Sequence, residues 1–254
     1  MKVIGINGSA RKDGNTSLLI KAVFAELEAE GIETDLVQLH GKALEPARPA
    51  SGAGEASMRC KTDYFNECFA KMVEADGIVL GSPVYSADVT AGMKAFLERA
   101  GVVVATNPGM LRHKVGASVA AVRRGGGLAA VDTMNHFLLN KEVIVVGSTY
   151  WNMAYGRDAG DVLNDAEGMA NMRNLVQNMA FVLKKSDRRG DGEGAEEGVL
   201  LRVFLRFHPL FSMAGAIAVS ALGIFCVIIA AAWEWRAGSV RKGKRVDARC
   251  PIPY

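Results

Sequence analysis

A chain of 254 residues, half of them apolar, is long enough for one domain of ordinary size plus an appendage. Its formal net charge is +3, but residues 236–254 contain six lysines and arginines and one aspartate, so this tail carries +5 and the preceding 235 residues carry −2. This distribution excludes a nucleic-acid-binding body and predicts no nucleic-acid partner. The four cysteines show no paired spacing, so we predict neither a disulfide scaffold nor a zinc site.

The first predicted unit is a strand, a loop and a helix. Residues 3–6 form an apolar run too short for the core of a signal peptide, and residues 15–30 have helical apolar spacing. The N-terminal loop, residues 8–17, connects them and is rich in glycine and serine. The N–H groups and hydroxyls of this loop lie at the N-terminus of the predicted helix, which carries a partial positive charge, and Arg11 adds a cation. Together these features predict an anion site. An ordinary turn with Asn15 as the helix cap is the alternative.

Strands and helices alternate along the rest of the chain, apart from a long irregular loop at residues 40–59. This alternation predicts an α/β fold, a doubly wound parallel sheet of five strands in the order 2-1-3-4-5 with helices on both faces. Ligands bind such sheets beyond the carboxyl ends of the strands, near the switch between strands one and three. The remaining predicted strands are 34–39, 77–80, 115–122 and 143–147, and the helices are 63–75, 91–100, 128–140 and 165–184.

Four motifs occur in the order expected of one protein family. They are Gly8-Ser9-Ala10-Arg11 followed by Asn15-Thr16, then Gly81-Ser82-Pro83-Val84-Tyr85, then Arg123-Arg124-Gly125-Gly126-Gly127, and finally Tyr150-Trp151-Asn152 followed by Gly156-Arg157. With these motifs the chain resembles the NADPH-dependent FMN reductase and iron–sulfur flavoprotein superfamily over residues 1 to about 185. The resemblance implies a flavodoxin-like FMN-binding domain at residues 1–185, with FMN as cofactor and NAD(P)H as co-substrate.

FMN needs a phosphate site, a flat slot for its ring and donors near the pyrimidine edge of that ring. The N-terminal loop suits the phosphate, the proline-stiffened segment after the third strand suits the slot, and the glycine loop, residues 123–127, suits the ring edge. For the segment after the third strand, the alternative is a plain tight turn. For the glycine loop, the alternative is a flexible loop that binds nothing. The candidate cofactor-binding residues are Ser9, Arg11, Asn15, Thr16 and Ser17 for the phosphate, Pro83, Val84 and Tyr85 for the slot, and Arg123, Gly125 and Gly126 for the ring edge.

We predict no catalytic side chain and no metal ligand, because the four histidines are scattered and no nucleophile–base pair is evident. The chemistry would belong to the cofactor, with hydride passing from a nicotinamide to the flavin and then to an acceptor. Tyr150, Trp151, Tyr155 and Arg157 follow the fifth strand. They would line a substrate pocket, form a subunit contact or simply pack against their neighbours.

The iron–sulfur members of the superfamily that this chain resembles carry Cys-x-x-Cys-x-x-Cys and a fourth cysteine after the second strand. This chain has Ala47, Ala50 and Ala53 at that spacing and retains only Cys60. A four-iron cluster is held by four thiolates, so we predict that the chain binds flavin without an iron–sulfur cluster. Chance spacing in an alanine-rich loop also explains the three alanines.

The C-terminal part predicts a membrane anchor. Residues 186–206 are charged and glycine-rich, as in a flexible linker. Within the candidate transmembrane helix, residues 207–235, a stretch of 24 residues has no charge, which is enough to cross a bilayer. The basic tail, residues 236–254, follows. If the flavin domain is cytoplasmic, a spanning helix places this tail on the other side of the membrane. The positive-inside rule instead keeps a basic tail on the cytoplasmic side, so the orientation of the tail stays open. A buried helix or a segment that never inserts is the alternative.

Three functional hypotheses follow. The first is an FMN-dependent NAD(P)H oxidoreductase that reduces a quinone, a flavin or a similar small-molecule acceptor and forms a homodimer or larger assembly. The second is a non-enzymatic, membrane-tethered flavin electron carrier, although the strongly acidic surface of flavodoxins is absent from a body of charge −2. The third is a scaffold whose loops no longer bind flavin.

Overall fold

Strands and helices alternate throughout the computed structural model, which describes residues 1–42, 44 and 64–187. A short 3₁₀ helix, Asp161–Asn164, precedes the last α-helix. The strands are β1 (Lys2–Asn7), β2 (Glu33–Gln38), β3 (Gly77–Pro83), β4 (Val115–Val122), β5 (Ile144–Val145) and β6 (Met153–Tyr155), and the helices are α1 (Asn15–Ala29), α2 (Tyr64–Glu74), α3 (Ala91–Thr106), α4 (Gly127–Asn140) and α5 (Ala166–Asp187).

The strands form one parallel sheet in the order β2-β1-β3-β4-β5, which confirms the predicted order 2-1-3-4-5. The number of strands differs from the prediction, because β6 also pairs with β4 and makes the sheet six-stranded. The two short strands share one neighbour: β5 pairs with the start of β4 at Val115 and Gly116, and β6 pairs with its end at Ala120 to Val122. The carboxyl end of β4 therefore has a further strand beside it.

Helices cover both faces of the sheet. On one face α1 and α5 pack against the strands through side chains such as Leu19, Val23 and Leu175. On the other face α2, α3 and α4 contribute a second core that includes Phe96 and Met134. All eight residues of β4 are buried, as expected for a strand with helices above and below it.

Several element bounds differ from the predicted ones. β3 extends to Pro83 instead of ending at residue 80, so part of the predicted ring-binding loop is strand. α3 extends to Thr106 instead of residue 100, and β5 has two residues instead of five. Asn15 begins α1 as predicted, but the preceding Gly14 is the cap residue and no side chain caps the helix.

Several predictions concern residues that the structure does not describe. These are the linker at 186–206 beyond residue 187, the candidate transmembrane helix at 207–235, the basic tail at 236–254 and the alanine-spaced segment at 47–60. Among the helices of the described ranges, none is both long enough and apolar enough to cross a membrane.

Candidate functional site

The N-terminal loop leaves β1 through a turn held by side chains from β1 and β2. The carboxamide oxygen of Asn7 accepts a hydrogen bond from the Ser9 N–H at 2.9 Å, and the Gln38 amide donates to the Ser9 carbonyl. The Asn7 amide also donates to Gln38 at 2.7 Å. The hydroxyl of Ser9 in turn accepts from the backbone N–H of Arg11 at 3.1 Å, and Arg11 itself is exposed. Ser9 therefore shapes the turn that presents Arg11.

Two hydroxyls at the start of α1 have no hydrogen-bond partner among the described residues. Thr16 is 1% exposed and Ser17 is fully buried, and the oxygens of both side chains are inaccessible to solvent. A buried hydroxyl left without a partner costs about 1–3 kcal/mol, so native proteins rarely keep one without a reason. They lie in the first turn of α1, where backbone N–H groups lack helical partners. This donor-rich end fits a phosphate, which brings only acceptors at neutral pH.

The side chain of Asn15, predicted as a phosphate ligand, ties a distant segment to α1. Its amide nitrogen donates to the Asp158 carbonyl at 2.9 Å, and its amide oxygen accepts from the Gly160 N–H at 2.8 Å. A Cβ on Gly156 would lie 2.8 Å from the Asn15 nitrogen, so only glycine permits this approach. Both polar atoms of Asn15 are thus engaged with the segment after β6.

That segment brings a second arginine close to the N-terminal loop. Arg157 lies between Gly156 and Asp158, which both contact Asn15. The Asp161 carboxylate accepts the backbone N–H groups of Arg157 at 3.0 Å and Asp158 at 2.8 Å, which fixes the turn. The sequence left open whether Arg157 lines a substrate pocket, forms a subunit contact or simply packs against its neighbours. The contact between Asn15 and Asp158, 143 residues apart, had no local signal.

The segment after β3 forms a tight turn with unusual backbone angles. Tyr85 and Asp88 exchange two backbone hydrogen bonds of 2.8 and 3.1 Å, and the residues between them, Ser86 and Ala87, have φ values of 49° and 64°. Left-handed conformations at two successive non-glycine residues are costly and are often found at functional sites. The Tyr85 ring is half-exposed. The Val84 N–H donates to Ala121, so the predicted slot offers the Tyr85 ring and not free amides at these two positions.

The three glycines of the glycine loop have different surroundings. Gly126 has φ +86°, and a Cβ there would lie 2.7 Å from the Cα of Ala87. A Cβ on Gly127 would lie 2.6 Å from the Met153 sulfur, whereas Gly125 has nothing within 4 Å of the corresponding position. Gly126 and Gly127 therefore permit close packing within the protein, and only Gly125 leaves room for a ligand. The preceding Arg123 is exposed.

These contacts bring the three predicted loops together. The Gly8 N–H donates to the Gly81 carbonyl at 2.8 Å, which joins the N-terminal loop to β3. The Thr90 hydroxyl donates to the Gly8 carbonyl at 2.8 Å. The contact of Gly126 with Ala87 joins the glycine loop to the turn after β3. The candidate residues thus lie in adjoining loops at the carboxyl ends of β1, β3 and β4, as the sheet order predicts.

A cavity of about 340 Å³ opens beside the glycine loop, past the edge of β4. Residues from three segments line it: the glycine loop and the start of α4, the segment that leads into β6, and the first turns of α5. Sequence reasoning left open whether the aromatic residues after the fifth strand line a pocket. Tyr150, Trp151 and Tyr155 do line this cavity. Within the described ranges, no cluster of three or more histidine, cysteine, aspartate or glutamate side chains could hold a metal ion.

Comparison with known proteins identifies the family of this chain. The family model described as NADPH-dependent FMN reductase matches residues 1–158. The chain belongs to this family. Membership in the FMN reductase family indicates a flavin-binding oxidoreductase, as the resemblance implied. An iron–sulfur flavoprotein of Methanocaldococcus jannaschii is 38% identical over 191 residues, which cover 72% of this chain and 98% of that protein.

Two solved structures illustrate the shared fold. RosB with the bound intermediate 8-demethyl-8-formylriboflavin-5'-phosphate matches with a TM-score of 0.63 and 18% identity, over 85% of this chain and 92% of that one. An NADH:FMN oxidoreductase, EmoB in its apo form, matches with a TM-score of 0.50 and 17% identity, over 71% and 88% of the two chains. At such identities the likeness shows the fold, which is the flavodoxin-like fold expected for the FMN reductase family.

Proposed function

We propose that this chain binds FMN as a cofactor and oxidises NAD(P)H to reduce a quinone, a free flavin or a similar small acceptor. The observation that supports the proposal most strongly is the pair of partnerless hydroxyls, Thr16 and Ser17, at the start of α1. They lie in a chain of the FMN reductase family, in a loop that adjoins the loops after β3 and β4. Anion-binding donors and ring-binding loops are therefore next to each other.

The phosphate would be held by the N-terminal loop. Arg11 supplies a cation, and the N–H groups of the first turn of α1 supply aligned donors. Thr16 and Ser17 would supply hydroxyls from the same turn, since neither has a hydrogen-bond partner among the described residues. Ser9 shapes the turn, since its oxygen already accepts from Arg11.

The ring would lie past the carboxyl ends of β3 and β4. The half-exposed Tyr85 offers an aromatic surface, and the backbone at Gly125 is open to a flat ligand. FMN, when bound, supplies the chemistry of accepting and donating a hydride equivalent. The side chains have to bind and orient the reactants. The nicotinamide loses a hydride, and the acceptor gains that hydride together with a proton from water, so no side-chain acid or base is needed.

The relatives matched here are named iron–sulfur flavoproteins. We propose that this chain differs from them and holds no four-iron cluster, because alanines stand at 47, 50 and 53. Anaerobic reconstitution with iron and sulfide should leave the full chain without stoichiometric iron. About four irons and four sulfides per chain would refute this part of the proposal.

Steady-state kinetics separate the proposed enzyme from the carrier. The full chain, loaded with FMN, should turn over NADPH or NADH repeatedly with a quinone as acceptor. Slow reduction in a single turnover without steady-state activity would favour a flavin carrier, and a protein that binds no FMN would refute both. Arg11→Ala should weaken the binding of FMN, whereas Lys12→Ala, which removes the same charge from the neighbouring position, should leave it unchanged.

A further inference from the structure

We propose that the cavity beside the glycine loop binds the electron acceptor and selects planar aromatic acceptors that are neutral or cationic over anionic ones. We call this cavity the aromatic pocket and define it by Tyr150, Trp151, Tyr155, Asp165 and Glu167. The inference rests on the proposed function, since it names the class of acceptor that the flavin site would serve.

Three aromatic side chains of the aromatic pocket are exposed. Tyr150 is 60% exposed, and Trp151 and Tyr155 are each 51% exposed. The rings of Tyr150 and Trp151 lie 5.5 Å apart at an angle of 50°. Ligand pockets begin at about 300 Å³ and are lined mainly by apolar and aromatic groups. A cavity of about 340 Å³ with these walls suits one planar ring system.

The charge of the aromatic pocket is negative. Asp165 and Glu167 line it, and none of the described residues that line it is a lysine, arginine or histidine. The Asp165 carboxylate is fixed by the N–H groups of Tyr155 at 2.7 Å and Gly168 at 3.0 Å, which offset part of its charge. Glu167 is exposed and has no hydrogen-bond or ion-pair partner in the described ranges. Among the described residues that line the pocket, no cation offsets this charge, which therefore disfavours an anionic ligand.

The aromatic pocket adjoins the predicted ring site. Gly126 lines the cavity, and it also packs against Ala87 in the turn that carries the Tyr85 ring. Gly125, the one glycine of the loop with open space around it, lines the same cavity. A ring in the pocket and a ring against Tyr85 would therefore share the glycine loop as a common wall. This position puts the acceptor next to the proposed flavin site, and hydride transfer would take place where the acceptor extends past the glycine loop into contact with the flavin ring.

The far wall of the pocket is closely packed. A Cβ on Gly168 would lie 2.5 Å from the Cβ of Ala154, so α5 and β6 are in close contact there. Asn171 is 4% exposed and accepts a hydrogen bond from the Thr149 hydroxyl at 2.9 Å, which holds the segment before Tyr150 against α5. Packing and hydrogen bonds within the protein thus hold this wall in place, which suits the largely pre-formed pocket that is usual for small molecules.

The test compares two acceptors that differ in charge, 2-methyl-1,4-naphthoquinone and 1,4-naphthoquinone-2-sulfonate. The full chain is loaded with FMN, reduced with dithionite and mixed anaerobically with each quinone, so the result does not depend on the nicotinamide. We expect tighter binding of the neutral quinone. In Glu167→Gln, the ratio of the apparent affinities for the neutral and the sulfonated quinone should fall about three- to tenfold. Glu26→Gln removes the same charge from an exposed position in α1, a helix with no residue in the lining of the pocket, and should leave this ratio unchanged.

A second variant tests the aromatic wall. Trp151→Leu should weaken the binding of both quinones about tenfold and leave the affinity for FMN unchanged. Trp151→Phe should retain most of the affinity for the quinones. Equal quinone affinities in Trp151→Leu and the parent chain would overturn the assignment. Dissociation of an oligomer in Trp151→Leu without a change in quinone binding would assign the aromatic residues to a contact between copies, which also overturns it.

A failure of the proposed function can be distinguished from a failure of the aromatic pocket, because the first is seen in FMN binding and the second in quinone binding. If the full chain binds no FMN, the function is refuted, and calorimetry of the FMN-free chain with the neutral quinone then tests the pocket alone. Binding that Trp151→Leu weakens would support the pocket, and no binding would refute it.

Discussion

The hydroxyl of Thr90 donates a hydrogen bond of 2.8 Å to the carbonyl of Gly8, 82 residues earlier in the chain. The same oxygen accepts the Met93 N–H at 3.1 Å and so caps α3. The Thr90 N–H donates to the Ser82 hydroxyl at 3.1 Å. One buried residue thus joins the N-terminal loop, the end of β3 and the start of α3. The relative position of the two predicted ligand loops depends on it.

Thr90→Val should test this dependence. The substitution keeps the size of the side chain, removes the cap of α3 and leaves the Gly8 carbonyl without its donor, which together should lower the free energy of unfolding by about 2–3 kcal/mol. Urea unfolding measures the change. Thr90→Ser retains the hydroxyl oxygen, so its free energy of unfolding should fall by less than about 1 kcal/mol. Equal stabilities of Thr90→Val and Thr90→Ser would show that these hydrogen bonds contribute little.

The partnerless hydroxyls predict a trade-off between stability and binding. Thr16→Val or Ser17→Ala should raise the stability of the FMN-free chain by about 1 kcal/mol, because each removes an unsatisfied buried oxygen. Each should also weaken FMN about tenfold or more, which corresponds to about 1.4 kcal/mol. Thermal unfolding without flavin and titration with FMN measure the two effects.

Ser118→Ala is the matched control for that trade-off. The Ser118 hydroxyl is also buried, but it has a partner, the Asn135 side-chain oxygen at 2.7 Å. Its removal should therefore destabilise the chain and leave FMN binding unaffected. A loss of stability in Thr16→Val as large as that in Ser118→Ala would mean that Thr16 has a partner in solution.

The glycine loop should tolerate a methyl group at one glycine and not at the next. Gly126→Ala would force a side chain into the left-handed region and to within 2.7 Å of the Ala87 backbone, at a cost of about 2–4 kcal/mol. Gly125→Ala meets nothing within 4 Å and should change the stability by less than about 0.5 kcal/mol. Unfolding midpoints of the two variants compare them. Similar midpoints would contradict the contact between the glycine loop and the turn after β3.

Cys68 should be unreactive in the folded protein. Its side chain is fully buried in α2, and burial raises the pKa of the thiol to about 11. The nucleophilic thiolate is therefore scarce at pH 8. Iodoacetamide at this pH should leave Cys68 unmodified in the native chain and alkylate it in urea, as peptide mass spectrometry can show. Comparable rates in both states would contradict the packing of α2 against the sheet.

The same shift of the Cys68 pKa gives a pH dependence. Since the folded pKa lies above the ordinary value of 9.0, the unfolded chain loses the thiol proton first as the pH rises. The contribution of Cys68 to stability should therefore be complete below about pH 9 and decline towards pH 11.

The order of the sheet could be predicted from the sequence because it depends on local patterns. Each buried strand is a short apolar run, and the eight residues of Val115–Val122 agree with the predicted bounds. Strands that alternate with helices have few possible orders, since parallel connections are right-handed. β6 could not be predicted in the same way. Its three residues show no distinctive alternation, and they become a strand by pairing with the end of β4.

The sequence predicted which loops adjoin one another, and it did not predict which atoms are in contact. The motifs identified which loops meet, but Asn15 binds the segment at 158–160, and Gly126 packs against Ala87. Both contacts join parts of the chain that are distant in sequence. The lack of partners for the oxygens of Thr16 and Ser17 among the described residues likewise depends on tertiary packing, which has no local signal in the sequence.

The most direct test of a phosphate site at the start of α1 is to compare the binding of FMN with that of riboflavin, since the two differ only in the phosphate. Titration of the full chain should give tight, stoichiometric binding of FMN and much weaker binding of riboflavin. Arg11→Ala should remove most of this preference, a loss of about 1.5–3 kcal/mol for one charge-assisted hydrogen bond, and should leave riboflavin binding unchanged. Equal affinities of the parent chain for FMN and riboflavin, or an unchanged preference in Arg11→Ala, would contradict a phosphate site at the start of α1.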